Sequence, residues 1–141
     1  MLSCGIVGLP LSGKTTLFNI VTKAGAEVKP YAGGKTDPNR AVIPVPDARF
    51  DKLSEVCHPR KATPATVEFV DLAGLSRDAS KGAGLGNSFL SFVAESAALV
   101  HVVRCFDNPD VPHSEETIDP VRDWHIVETE LILRDLSAIE N

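Results

Sequence analysis

The sequence predicts an α/β fold of three layers, with a mostly parallel sheet flanked by helices. Three observations carry that expectation. Short apolar runs alternate with amphipathic stretches of helical period along the chain. A glycine-bounded loop joins the first apolar run to the first helical stretch. The β-branched and aromatic run TVEFVDL at 66–72 is followed by a second glycine-rich loop. Strands that alternate with helices are the pattern of parallel sheets with crossover connections.

The elements follow in order. Residues 2–7 (LSCGIV) read as a buried strand, short and apolar. A helix is expected from Lys14 to about Ala24, with Leu17, Phe18, Ile20 and Val21 on its apolar face and Gly25 as its stop. Residues 29–40 are rich in Gly, Pro and polar side chains and read as a long loop, a kind that is often functional. Ala41–Val45 is a short strand. Asp47 is placed to cap a helix carrying Phe50, Leu53 and Val56 three apart, and Pro59 ends it. Thr66–Leu72 is the clearest strand. After the loop from Gly74 to Gly86, a helix is expected from Asn87 to about Ser96, then a buried strand, LVHVVRCF, at 99–106. Residues 107–118 form an acidic, proline-containing loop. Asp119-Pro120 opens a last helix, with Val121, Trp124, Val127, Leu131 and Leu136 along one side. That helix has no stop signal, so residues 1–141 are expected to be the N-terminal part of a larger domain.

The chain of 141 residues is long enough for one domain with a sizeable core. Its net charge of −5 argues against a broad basic surface, and no direct DNA binding is expected. Cys4, Cys57 and Cys105 are far apart and form no CxxC pair, the usage of reduced thiols in a cytoplasmic protein. Cys57-His58 lacks the second ligand pair that a zinc site needs. The apolar start has no basic n-region, and no run approaches the roughly 20 apolar residues that span a bilayer, so no membrane partner is expected.

The chemistry begins at 8–15, GLPLSGKT, which fits G-x-x-x-x-G-K-[ST] at every fixed position. Glycines let the backbone turn its N–H groups inward around phosphate oxygens. The helix that starts at Lys14 aims its N-terminus at the same anion. Leu11, Ser12, Gly13, Lys14, Thr15 and Thr16 are the expected nucleotide-binding stretch. Lys14 reaches the β- and γ-phosphates and assists the chemistry, and the Thr15 hydroxyl is placed to ligate Mg²⁺.

The tetrapeptide DLAG at 71–74 ends the best strand. A P-loop NTPase needs an acid there to hold Mg²⁺ through water and a backbone N–H near the γ-phosphate. Asp71 supplies the first and Gly74 the second. The separation from the P-loop leaves room for a switch loop and a strand pair, as in small GTPases. Leu75 follows, where Ras-like proteins carry a water-orienting Gln. A leucine cannot orient water, so hydrolysis is expected to be slow or to use another residue.

At this point the chain resembles the YchF subfamily of Obg-like P-loop ATPases over essentially its whole length. The resemblance rests on CGIVGLP at 4–10, GKTTLFN at 13–19, TKAG at 22–25, VPDARFDKL at 45–53, VEFVDLAGL at 67–75, KGAGLGNSFL at 81–90 and HVVRCF at 101–106. It implies a Ras-like G domain, incomplete here, with the helix at 119–141 leading toward a coiled-coil insertion and, beyond it, a TGS domain. It also implies ribosome association and a preference for ATP over GTP. The family lacks the catalytic Gln and carries a hydrophobic residue in its place. A histidine in the loop after HVVRCF is the proposed substitute, and His113 holds that position. Two departures stand out. Family P-loops read GLPNVGK, whereas Leu11 and Ser12 replace Asn and Val here, which puts the family's potassium stimulation in doubt. The family's FCTIDPN is GGKTDPN at 33–39; Lys35 falls on the family's Thr, and Thr36 is taken as the hydroxyl that senses Mg²⁺. His58 and His125 have no such support, and His101 lies in a buried-strand pattern that reads as structural.

The base-reading N-K-x-D motif, or the family's N-x-x-E, starts at none of the asparagines 19, 39, 87, 108 and 141. Three readings therefore fit these residues. One is a Mg²⁺-dependent NTPase switch that hydrolyses ATP slowly and acts on the ribosome. Another is a GTP-specific Obg-type protein of ribosome assembly. The last is a module that senses nucleotide without hydrolysing it.

Overall fold

A computed structural model of the protein describes residues 1–26, 28, 38–72 and 86–140. The elements are β1 (Leu2–Val7), α1 (Lys14–Thr22), β2 (Asn39–Pro44), α2 (Ala48–Cys57), β3 (Thr66–Asp71), α3 (Gly86–Glu95), β4 (Ala98–His101) and α4 (Pro120–Glu140). The sheet order is β2-β3-β1-β4. β1 runs parallel to both β3 and β4, while β2 pairs antiparallel with β3, Asn39 opposite Asp71. The mostly parallel α/β architecture read from the sequence is thus the observed one.

Alternation along the strands sends successive side chains to opposite faces. Val7 of β1 and Val70 of β3, with Leu72 and Leu9, form a core with Val127 of α4, against which Phe92 and Val93 of α3 and Ile126 and Leu131 of α4 pack. Asp71 falls on the other face, where Thr15 of α1 meets it. The boundary between the apolar core and the polar site therefore runs through the ends of β1 and β3.

Several elements differ from expectation for identifiable reasons. β2 begins at Asn39, inside the stretch read as loop, because its pairing partner β3 extends to Asp71. β4 stops at His101 rather than running on to Phe106. Its partner β1 ends at Val7, so the ladder closes with Val102 N–H donating to Val7 O at 2.8 Å. Beyond it the Arg104 side chain turns inward and donates to the carbonyls of Phe106, Asn108, Val111 and Pro112. α1 ends at Thr22 because Lys23 turns left-handed (φ 57°) and Asn19 ties its amide to both backbone groups of Ala26. Of its expected apolar face only Phe18 is fully buried, and Ile20 is exposed.

Asp47 caps α2 as read, its carboxylate accepting from Arg49 N–H at 2.9 Å. The helix buries nothing, however, and Leu53 and Val56 are 62% and 66% exposed. Asp119 likewise caps α4, accepting from Arg122 N–H. The buried stripe of α4 is Asp123, Val127 and Glu130; of the expected apolar side Val127 is buried and Leu131 packs against the core, whereas Val121, Trp124 and Leu136 are exposed. Among the described residues no helix is long and apolar enough to cross a membrane.

Candidate functional site

The site lies where β1 and β3 end, the usual ligand position in open α/β sheets. β1 delivers the chain into the loop at Gly8, and the two motif glycines serve different needs. A Cβ on Gly8, whose φ is +151°, would stand 2.3 Å from Val102 O, so the backbone beside β4 leaves no room for a side chain. Gly13 has φ +99° and would meet nothing within 4 Å. Its role is conformational, and it leaves open space ahead of α1. Gly13 occupies the N-cap with no side-chain cap, so amides of the first turn remain available to an anion. Leu11 also adopts a left-handed conformation, φ 61°, which a branched side chain takes only at a cost.

Lys14 is buried, and its Nζ donates to Leu9 O at 2.7 Å. Burial pushes its pKa from 10.5 down to about 8, with the charge of Asp71 opposing that fall. Thr15 Oγ1 donates to Asp71 Oδ2 at 2.7 Å. Asn39 Nδ2 donates to the same oxygen at 3.2 Å. The other carboxylate oxygen, Asp71 Oδ1, is buried without a partner among the described residues, and so is Ser12 Oγ. Buried polar atoms are ordinarily satisfied, so two orphans in one P-loop site point to groups held ready for a ligand. Thr16 is exposed in the first turn of α1.

The set fits a Mg²⁺-nucleotide. Hydroxyl and carboxylate oxygens suit this hard cation, which usually takes one or two protein ligands and completes its shell with phosphate and water. Among the described residues no group of three His, Cys, Asp or Glu could hold a metal by itself. An ion here relies on Thr15, Asp71 and the nucleotide.

The structure brings Lys14, Thr15 and Asp71 together with Ser12 and Gly13. Thr36, Gly74 and Leu75 lie outside the described residues. His113 is held by the loop and α4: its Nε2 lies 2.8 Å from Asp123 Oδ2, and its Nδ1 accepts from Glu115 N–H at 3.0 Å. The His113 and Asp123 side chains are only 6% and 4% exposed. An accepting Nδ1 puts the neutral ring's proton on Nε2, aimed at Asp123. His125 faces Glu128 at the surface, and His58 is the left-handed C-cap of α2.

Two groups escaped the sequence reading. Asn39 was absorbed into a polar loop, although its register opposite Asp71 is what brings it into the site. His101 sits at the end of β4 beside Val7. Burial lowers its pKa first and the nearby Lys14 charge lowers it further, while Glu128 opposes. The run of apolar neighbours around His101 concealed its position at the sheet's edge next to the P-loop lysine.

Strand, glycine loop, helix N-terminus, lysine, threonine and a strand-end aspartate together define a nucleotide-binding domain of the P-loop GTPase type. The family model described as 50S ribosome-binding GTPase matches residues 3–134, and the chain belongs to that family. Among curated proteins, "Ribosome-binding ATPase YchF" of Haemophilus ducreyi is 52% identical over 137 residues, covering 97% of this chain and 38% of the relative. The protein of that name from Escherichia coli O157:H7 is 49% identical over the same share of both chains. The one from Bacillus subtilis is 46% identical over 99% of this chain. The YchF resemblance read from the sequence is borne out by these relatives. The chain spans 38% of their length. Two solved structures of NFeoB from S. thermophilus, each bound to GDP.AlF4- and one also to K+, share the fold. Each aligns with a TM-score of 0.50 over 73% of this chain and 34% of the other, at 21% and 20% identity.

Proposed function

We propose that this domain binds a purine nucleoside triphosphate with Mg²⁺, ATP in preference to GTP, and hydrolyses it slowly as the switch of a ribosome-associated protein. The observation that carries the reading is the convergence of Lys14, Thr15 and the half-satisfied Asp71 on the open N-terminus of α1. In this reading the amides of 11–16 and Lys14 hold the phosphates. Thr15 and Asp71 hold Mg²⁺, which neutralises phosphate charge. Lys14 Nζ spends one of its three donors on Leu9 O, which leaves two for phosphate oxygens. Gly74 and Thr36 are assigned as the γ-phosphate and Mg²⁺ sensors on the strength of sequence. The ribosome as partner and the preference for ATP rest on what the curated relatives are called. The coiled-coil insertion after the helix at 119–141 rests on the family resemblance alone.

His113 remains the proposed water-orienting group. To act, it must give up the Glu115 amide that now occupies Nδ1, or the Asp123 carboxylate at Nε2. That double engagement, with Leu75 in the place of Gln, favours as second reading a module that binds nucleotide and scarcely hydrolyses it. The test is calorimetric titration with ATP and with GTP, with and without Mg²⁺, beside Lys14→Ala. Saturable, Mg²⁺-dependent binding lost in Lys14→Ala supports the assignment. Equal binding by Lys14→Ala would refute it. Phosphate release then separates the two readings: turnover that falls sharply in His113→Ala, at unchanged affinity, supports the enzyme, and none above blank supports the sensing module.

A further inference from the structure

We propose that Asn39 is a positioning residue for the metal site: it fixes Asp71 by one carboxylate oxygen so that the other stays presented to Mg²⁺. The inference rests on the nucleotide reading above. β2 and β3 are antiparallel with Asn39 directly opposite Asp71. Directly opposed residues carry their side chains on the same face, within about 5 Å at Cβ. The Asn39 amide uses that proximity, donating to Asp71 Oδ2 at 3.2 Å. Thr15 Oγ1 donates to the same oxygen at 2.7 Å from the other side. Two donors from two elements thus converge on Oδ2, while Oδ1 is buried with none among the described residues.

That asymmetry is the substance of the proposal. A carboxylate with one donor can rotate about its Cβ–Cγ bond and exchange its oxygens. With donors from α1 and from β2 both aimed at Oδ2, rotation breaks two hydrogen bonds. Oδ1 is therefore held away from internal partners, although leaving a buried acceptor bare is unfavourable. Thr15 can keep its bond to Asp71 while offering the hydroxyl oxygen lone pair to the metal, since the donated hydrogen and the lone pair are separate. Asn39 carries no charge, so it orients Asp71 without competing for the cation. It is also the first residue of β2, so the strand's N-terminal end is registered directly on the metal-binding carboxylate.

The test compares affinity for a fluorescent ATP analogue, with and without Mg²⁺, in the full chain and in Asn39→Ala. The expected result is a 5- to 10-fold loss in the Mg²⁺-dependent gain in affinity, with Mg²⁺-free binding unchanged. Asn39→Thr is the second variant. It suits a strand better, its shorter hydroxyl falls short of Asp71, and the same loss is expected. A wild-type Mg²⁺ gain preserved in both variants would overturn the proposal. A loss of equal size with and without Mg²⁺ would also overturn it, by showing only a general structural role. If the wild-type protein binds with no Mg²⁺ gain at all, the failure belongs to the nucleotide reading and takes this proposal with it.

Discussion

Nucleotide binding by this domain should take up a proton, and the amount should rise steeply above pH 7. The cause is Lys14, buried against Leu9 O with a pKa near 8 in the nucleotide-free protein. With that value about a tenth of the lysine is neutral at pH 7, about half at pH 8 and about nine-tenths at pH 9. A triphosphate within a few ångströms restores the charged form, so uptake should be about 0.1, 0.5 and 0.9 proton at the three pH values. The neighbouring His101 is held below its usual range, first by burial and then by the Lys14 charge. Calorimetry in two buffers of unlike ionisation enthalpy measures the uptake directly. Lys14→Arg, which cannot deprotonate, should bind with no such uptake from this group. Affinity for wild type should fall with rising pH above 8, approaching tenfold per unit. The sign for stability is the opposite. The fall from 10.5 to about 8 corresponds to about 3 kcal/mol. That cost is present in full below pH 8, where both folded and unfolded chains hold the proton. It is relieved between pH 8 and 10.5, where the unfolded chain binds more protons. Zero uptake at pH 8 and 9 with affinity intact would show Lys14 fully charged and refute the burial argument.

Three further outcomes follow from the loop and its neighbours. Gly8→Ala should destabilise the fold on the order of 3 kcal/mol, because its Cβ would meet Val102 O at 2.3 Å; a midpoint in urea equal to wild type would contradict this. Leu11→Asn should stabilise by roughly 0.5–1 kcal/mol, because asparagine tolerates the left-handed φ of 61° that leucine resists; the check is thermal unfolding without nucleotide, and a lower Tm would count against it. His113→Ala should cost about 1–3 kcal/mol, because it removes the Nε2 partner of a buried carboxylate that also pairs with Arg122; chemical denaturation with no loss would mean the pair is not formed in solution.

How much was legible in the sequence depended on whether local pattern or distant partners decided the outcome. The P-loop, the Asp47 and Asp119 caps and the strand at 66–71 announced themselves because each is a short-range arrangement of residue types. The extent of β4 did not, because LVHVVRCF is apolar well past the point where β1 stops offering hydrogen bonds. Arg104 looks like an interruption of a strand, but its four carbonyl partners lie in the loop that follows. The apolar periodicity of α4 found Val127 and Leu131 but also pointed to the exposed Trp124 and Leu136, and it missed the buried Asp123 and Glu130. Asp123 is buried because His113 and Arg122 satisfy it, and no periodicity rule weighs a carboxylate by its partners. Asn39 was hidden for the same reason: its meaning lies in the register that sets it opposite Asp71.

The same features that mark the site make it locally unfavourable when empty of ligand. Lys14 is desolvated beside one carbonyl, Asp71 Oδ1 and Ser12 Oγ are buried without partners among the described residues, and Leu11 is held left-handed. Each costs free energy in the nucleotide-free fold, and a Mg²⁺-nucleotide relieves at least the first two by supplying an anion for Lys14 and a cation for Asp71. A ligand that binds only the folded state adds stability as RT ln(1 + [L]/Kd), about 2.7 kcal/mol at a hundredfold excess over Kd. The strain therefore links folding to occupancy: changes that satisfy these groups internally should raise Tm without nucleotide and shrink the further rise that nucleotide brings. Leu11→Asn relieves backbone strain without touching Lys14 or Asp71, so it should raise Tm in both states equally. A substitution that gives Asp71 Oδ1 an internal donor should instead raise the free state and weaken the Mg²⁺-bound one. That difference follows from which atoms are left bare, and it distinguishes a site kept open for a ligand from a loop that is merely imperfectly packed.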